Sequence, residues 1–251
     1  MRKVLCAVCV AGVLLPAARP VWADDKADAE ALLEKGIKAL GGEARLSKFK
    51  AATWQAKGTV RLGNRDAEYS GDWAMQAPHQ FKAVITGELN GKKFKRVRIL
   101  DGDKGWVKLD DNDAEEMSAL ALAETQRELH AQLMTTLLPV RDKEFTLAPM
   151  GASKVGDTAA EGLKVTTQDG REFHLLFDKD SGLLLAVESQ VQGPQGEDVK
   201  QELVYADYKD VNGLKRPMKL TVKRDGKTFI QQETTEYKPL EKLDDKEFAK
   251  P

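Results

Sequence analysis

The side chains that could do chemistry are few and scattered. Three histidines, His79, His130 and His174, could ligate a metal or move protons near neutral pH. They stand on separate segments, and none has a partner at the i, i+4 spacing of a helical metal site. They read as surface or turn histidines. Asp101-Gly102-Asp103 and Asp178-Lys179-Asp180 begin with the acid spacing of calcium loops, yet neither supplies Gly at the sixth and Glu at the twelfth position. Each stands where a hairpin needs a turn. The acidic run Asp110–Glu116 suits the positive end of a helix dipole. No G-x-S-x-G elbow, P-loop or G-x-G-x-x-G is present. With 40 acidic residues in the chain, carboxylate pairs occur by number alone. A non-catalytic protein with no metal and no cofactor is expected.

Composition narrows the classes further. The 251 residues carry 39 Lys+Arg against 40 Asp+Glu, a net charge of −1 that offers nucleic acid no basic face. Residues Met1–Ala23 read as a secretory signal: Arg2 and Lys3 lead an apolar run ending in Val21-Trp22-Ala23, and that run is too short to span a bilayer. Cys6 and Cys9 lie inside the run near its start, not after it where a lipidated cysteine would stand, so both leave with the signal. The mature chain then has no disulfide, no thiol nucleophile and no thiolate metal site. Residues 24–251 are expected to form a single exported, periplasmic domain that is not an integral membrane protein, with no linker or fixed-period repeat to divide it.

What remains is an apolar set, and its spacing dictates the elements that position it. Ala27, Ala31, Leu32, Leu33, Ile37, Ala39 and Leu40 make the apolar side of an opening helix that Gly41-Gly42 terminates. A short helical turn over Glu43–Lys50 follows. From Ala52 to Leu62 the period becomes two, with Ala52, Trp54, Ala56, Val60 and Leu62 on one face. Strands carrying Tyr69, Trp73 and Met75, then Phe81, Ile85 and Leu89, come next, followed by the hairpin signal Asn90-Gly91. Further strands are expected at Lys92–Leu100 and Gly105–Leu109. A long helix over Ala114–Leu138, capped by Asp113 with Glu116 and stopped by Pro139, interrupts them. Strands resume at Glu144–Ala148, Gly162–Thr167, Arg171–Asp178, Leu183–Val191, Val199–Tyr208, Leu214–Lys223 and Thr228–Tyr237. So many strands joined by tight turns cannot be parallel, because each parallel pair needs a long crossover. The pattern predicts an α+β fold: a large curved antiparallel sheet with helices over its concave face and an apolar cavity between them.

Several segments resemble a known family. The opening Leu32–Lys50 (LLEKGIKALGGEARLSKFK) and the hairpin Phe177–Ser189 (FDKDSGLLLAVES) are similar to exported proteins of the outer-membrane lipoprotein-carrier (LolA-like) superfamily. Tyr205–Lys227 matches its D-Y-x-x-V-x-G-x-x-x-P pattern through Asp207, Tyr208, Val211, Gly213 and Pro217. Leu243–Pro251 matches its closing D-D-x-x-F-x-x-P through Asp244, Asp245, Phe248 and Pro251. The resemblance implies a half-open β-barrel with a helical lid and the handling of a lipid or a lipoprotein acyl chain between membranes. A sensor or assembly protein that uses the same fold to contact another cell-envelope protein is the alternative.

The expected ligand lining is therefore Trp54, Val60, Leu62, Trp73, Met75, Phe81, Ile85 and Trp106 from the sheet, with Leu129, Leu133 and Leu137 from the central helix.

Overall fold

The computed structural model describes residues 22–89, 91–193 and 197–251. The signal reading falls almost wholly outside them, as does Asn90 of the Asn90-Gly91 turn. Two helices open the fold, α1 (Trp22–Ala39) and α2 (Glu43–Lys48), and α3 (Ala119–Met134) lies midway. A first meander runs β1 (Ala51–Leu62), β2 (Arg65–Gln76), β3 (Gln80–Leu89), β4 (Lys92–Asp101), β5 (Lys104–Leu109) and β6 (Glu115–Glu116). A second runs β7 (Thr146–Val155), β8 (Thr158–Thr166), β9 (Glu172–Asp178), β10 (Leu184–Gln192), β11 (Asp198–Val211), β12 (Leu214–Arg224) and β13 (Lys227–Leu240). The first and last strands pair, so one antiparallel sheet of 13 strands forms in the order β6-β5-β4-β3-β2-β1-β13-β12-β11-β10-β9-β8-β7. It does not close. This is the expected α+β half-barrel.

Topology explains the role of α3. It joins β6 to β7, the two edges of the sheet, so the connection must cross one face from end to end. Thirteen strands at about 4.8 Å spacing would stretch some ~58 Å if flat, against about 24 Å for a 16-residue helix. Curling brings the edges nearer and lets one helix serve as the bridge.

Register separates two faces. On the inner face Trp54 pairs with Trp73 and Tyr237, and Trp73 with Ala83. Val60 pairs with Ile230, Ile230 with Val222, and Val222 with Leu203, which carries the same face into the second meander. There Leu163, Leu175, Phe177 and Leu184 meet Ala29, Leu33 and Ile37 of α1, and Leu40 just after it, in one core. Ala27 and Ala31 stay exposed, so the docking stripe is narrower than the apolar composition of the helix suggests. A Cβ on Gly36 would come within 2.7 Å of the Phe177 ring and 2.8 Å of Leu137, so its absence sets how closely α1 approaches the sheet. The Gly42 and Gly41 amides bond back to the Ile37 and Lys38 carbonyls at 3.0 and 3.1 Å, ending the helix as expected. Arg141, from a 3-10 turn Pro139–Arg141, donates to Glu34 at 2.7 and 2.5 Å and reaches Glu43 at 2.8 Å, tying α1, α2 and this turn together. On the outer face, the C-terminal turn Asp245–Phe248 inserts the fully buried Phe248 against Ala74, Val97 and Ile99.

The central helix departs from expectation at both ends. It starts at Ala119, not Ala114, and its cap is Ser118, whose Oγ accepts from the Ala121 amide at 3.3 Å. Glu115 and Glu116 instead pair with Val107 and Trp106 as β6, because β5 would otherwise present an unpaired edge. The helix stops before Leu137, which adopts φ 65°, and Pro139 opens the 3-10 turn. The second meander also begins with a full β7–β8 hairpin, longer than the short Glu144–Ala148 strand that alternation revealed. β7 carries Pro149 and a bulge between Pro149 and Gly151.

Candidate functional site

Under α3 the inner face is aromatic. Trp54 and Trp73 stack with ring centroids 5.9 Å apart and planes 4° from parallel, and Phe81 lies 6.5 Å from Trp54. Met75, Leu100 and Leu129 complete this core, with Ile85, Leu122, Leu133 and Tyr69 packed at its margin. Met134 at the end of α3 packs against the second core, where Leu137, beyond the helix, lies beside Phe177, so α3 runs from one core to the other. Its polar side is anchored as well: Arg98 of β4 meets Glu128 at 2.8 Å. Arg96, two residues along, is lowered by burial and by Arg98, while Glu124 and Glu128 act in the opposite sense. The Tyr69 hydroxyl donates to Gln232 at 2.9 Å, and burial, with Glu128 nearby, pushes this phenol up to about 12.

Of the eleven residues expected to line a ligand site, the structure brings Trp54, Trp73, Met75, Phe81, Ile85, Leu129 and Leu133 together. They are packed against one another and buried: Trp54, Trp73, Met75 and Phe81 are only 8, 7, 5 and 0% exposed. Trp106 is not among them. It pairs with Ile99 and sits with Phe248 on the outer face, while its neighbour Gly105 faces Leu122 of α3. Val60 and Leu62 follow Trp54 in strand phase but pass beyond the helix.

That continuation is the notable feature of the inner face. Away from α3 its apolar side chains emerge toward the hairpin ends of β1, β3 and β5. Val60, Tyr69, Ile85, Leu220 and Ile230 are half-buried, and Leu62, Leu89 and Leu109 are 45, 43 and 47% exposed. A floor of packed aromatics therefore opens into an apolar shelf. Two surface recesses lie elsewhere. One of about 270 Å³ is lined by the outer-face residues Thr53, Gln55, Asp72, Lys82, Lys238 and Glu247. Another of about 430 Å³ lies along Val155, Leu183, Leu185 and Val204, near the outer-face cluster of the second meander.

At the seam between the two inner cores stands a residue that the sequence reading passed over. Arg216 of β12 is only 8% exposed, and its guanidinium carbon lies 4.8 Å from the centroid of the Tyr237 ring. Tyr205 and Tyr208 flank the same seam. Burial raises both phenols, and Arg216 opposes that shift in each. The Tyr208 hydroxyl donates to the Leu184 carbonyl at 2.6 Å. A signal was available: Leu214, Arg216, Met218, Leu220 and Val222 share one strand phase, and an arginine in that apolar row is out of place.

The histidines have ordinary neighbours. His174 Nδ1 lies 3.6 Å from Glu188, and His130 packs beside the Phe145 ring. Among the described residues no three metal-ligating groups converge. Asp178 caps its own turn, accepting from the Ser181 amide and hydroxyl at 2.7 Å each, and these bonds hold its carboxyl below the usual range. No described helix is long and apolar enough to cross a membrane.

No protein-family model matches the chain, and no curated protein matches its sequence. Solved structures do match. A DUF1329 family protein from Desulfovibrio piger superposes with a TM-score of 0.58 at 13% identity, covering 88% of this chain and 97% of that one. A LolA superfamily protein from Nitrosomonas europaea gives the same TM-score of 0.58, identity of 13% and coverage of 88% and 97%. A domain named for outer-membrane lipoprotein sorting, from Vibrio parahaemolyticus, reaches 0.54 at 13% identity, covering 87% of this chain and 97% of that one. The chain has the half-barrel fold of LolA superfamily and DUF1329 proteins.

Proposed function

We propose that this protein is an exported, non-catalytic carrier that binds a lipidic ligand or a lipoprotein acyl chain on the inner face of its half-barrel. One observation carries the reading: the apolar shelf formed by Val60, Leu62, Ile85, Leu89, Leu109 and Ile230 continues a buried aromatic floor out to an open end. Apolar side chains concentrated toward one end of one face are what a hydrocarbon chain covers, and Arg96 of β4 stands between Ile85 and Leu109 in that row. The α3 helix acts as the lid. Its buried side chains are Thr125 and Leu129 alone among its described residues, so a tail can enter the packed region by displacing the helix margin and leaving the sheet intact. The likeness to a lipoprotein-sorting domain supports this reading at the level of fold.

The test is chemical. The protein is produced in its own cell envelope, purified without detergent and extracted with organic solvent, and the extract is examined by mass spectrometry. Stoichiometric acyl-chain lipid is the expected result. An empty protein that instead holds a stable envelope-protein partner would replace the carrier reading with that of a sensor or assembly factor.

A further inference from the structure

Arg216 is a cation that its own fold does not answer. It is more than nine-tenths buried, yet among the described residues it makes neither an ion pair nor a hydrogen bond; its one contact of note is the Tyr237 ring. The other paired arginines show the contrast. Arg98 has Glu128 at 2.8 Å, and Arg141 has Glu34 and Glu43. No fully enclosed side-chain nitrogen lacks a partner among the described residues, so the Arg216 nitrogens keep a small opening to the seam. Arginine does not shed its proton in proteins, and a buried guanidinium without a counter-ion is unfavourable. The missing anion has to come from outside the chain.

Its chemistry follows from the surroundings. A guanidinium fork matches a planar carboxylate with two parallel hydrogen bonds. The seam offers one positive charge and neutral phenols, which balances a monoanion and leaves a phosphate dianion half compensated. The Tyr208 hydroxyl is committed to Leu184, whereas the Tyr205 hydroxyl has no partner among the described residues and can donate. Along the same phase of β12, Met218 and Leu220 provide apolar contact, Leu220 about 13 Å from Arg216 in the direction of the shelf.

We propose that Arg216 is a head-group site for the carboxylate of a long-chain fatty acid, with Tyr205 as a second donor and the chain lying over Leu220 toward the open end. This rests on the carrier reading above. Oleate and oleyl alcohol, which share a tail and differ in head group, are titrated by calorimetry into the wild type, Arg216→Met and Arg216→Lys. The wild type is expected to prefer oleate by about ten- to hundredfold, the value of a charge-assisted pair. Arg216→Met should weaken oleate to the level of the alcohol while leaving the alcohol's Kd unchanged. Its melting temperature without ligand should stay level or rise, since an uncompensated charge is gone. Arg216→Lys keeps the charge without the fork and should retain only part of the preference; if the Met variant fails to fold, a Lys variant with full preference overturns the site. Equal binding of oleate and alcohol by the wild type, or an undiminished preference in Arg216→Met, removes the head-group site and leaves carriage standing. If neither compound binds the wild type, both the site and the carrier reading fall.

Discussion

If α3 is a lid, Leu129→Ala should release it without loosening the rest of the molecule. The magnitudes come from burial. The α1 helix fixes itself with Ala29, Leu33 and Ile37, 0, 2 and 2% exposed, whereas α3 has Leu129 at 3% as its one fully buried apolar side chain among the described residues. A fully buried leucine contributes about 1.5–3 kcal/mol, and half-buried Leu122 and Leu133 contribute about half as much each. Leu129 thus supplies about half of the apolar contribution that docks α3. Removing it should cost about 2–3 kcal/mol, near the low end of core leucine truncations because the helix margin can relax into the space. At about 1.4 kcal/mol per tenfold, that raises the undocked population by some ~30- to 150-fold. Native-state hydrogen exchange read by mass spectrometry separates the two helices: amides of α3 should lose protection by that factor while those of α1 keep theirs. Leu33→Ala, the control, should lower protection throughout. If α1 and α3 exchange with one common free energy in the wild type, and fall together in Leu129→Ala, the helix is a permanent part of the core and the lid argument is wrong.

Other perturbations test other joints. Gly36→Ala should lower stability by up to about 2 kcal/mol in urea unfolding, because the strain of forcing a methyl against Phe177 and Leu137 outweighs a helix-propensity gain of about 1 kcal/mol. A net gain would show that those side chains can retreat. Phe248→Ala should cost about 3–5 kcal/mol, and a loss too small to measure would mean that the C-terminal turn is no plug for the outer face. Tyr205→Phe should flatten the alkaline limb of stability. Burial favours the protonated phenol in the folded state, so above the ordinary value of 10.0 the unfolded chain releases its proton first. Stability then falls with rising pH, by about 1.4 kcal/mol per unit for each such tyrosine. Identical alkaline unfolding profiles for the variant and the wild type would contradict this.

The architecture was legible in the sequence because alternation and turn residues act locally. Asn212 and Gly213, with φ of 57° and 80°, form the tight turn that their types announce between β11 and β12. Trp54, Trp73, Met75 and Phe81 were grouped correctly since their strands keep strict phase across short hairpins. Trp106 was misplaced by a single residue of turn length. Asp101 pairs with Lys104, which leaves a two-residue turn where Asp101-Gly102-Asp103 suggests three, and one residue of slip exchanges the faces of a strand. The start of α3 was missed because Glu115 and Glu116 are ordinary first-turn helix residues, and only the neighbouring edge of β5 recruits them into the sheet. Arg216 escaped notice because a charged residue in a strand ordinarily faces water, and its burial depends on packing between distant segments.

An unclosed barrel leaves two raw edges, and raw edges invite other chains to add strands and grow fibrils. This sheet ends on β6 and β7, and each is spoiled as a template in its own way. β6 is two residues long, both of them exposed glutamates, so an incoming strand meets negative charge and finds little backbone to pair with. β7 is ten residues long but carries Pro149, which has no amide to donate, and a bulge at Gly151, where φ is 78° and the ladder is broken. The half-barrel can therefore stay open along its length without polymerising through that opening.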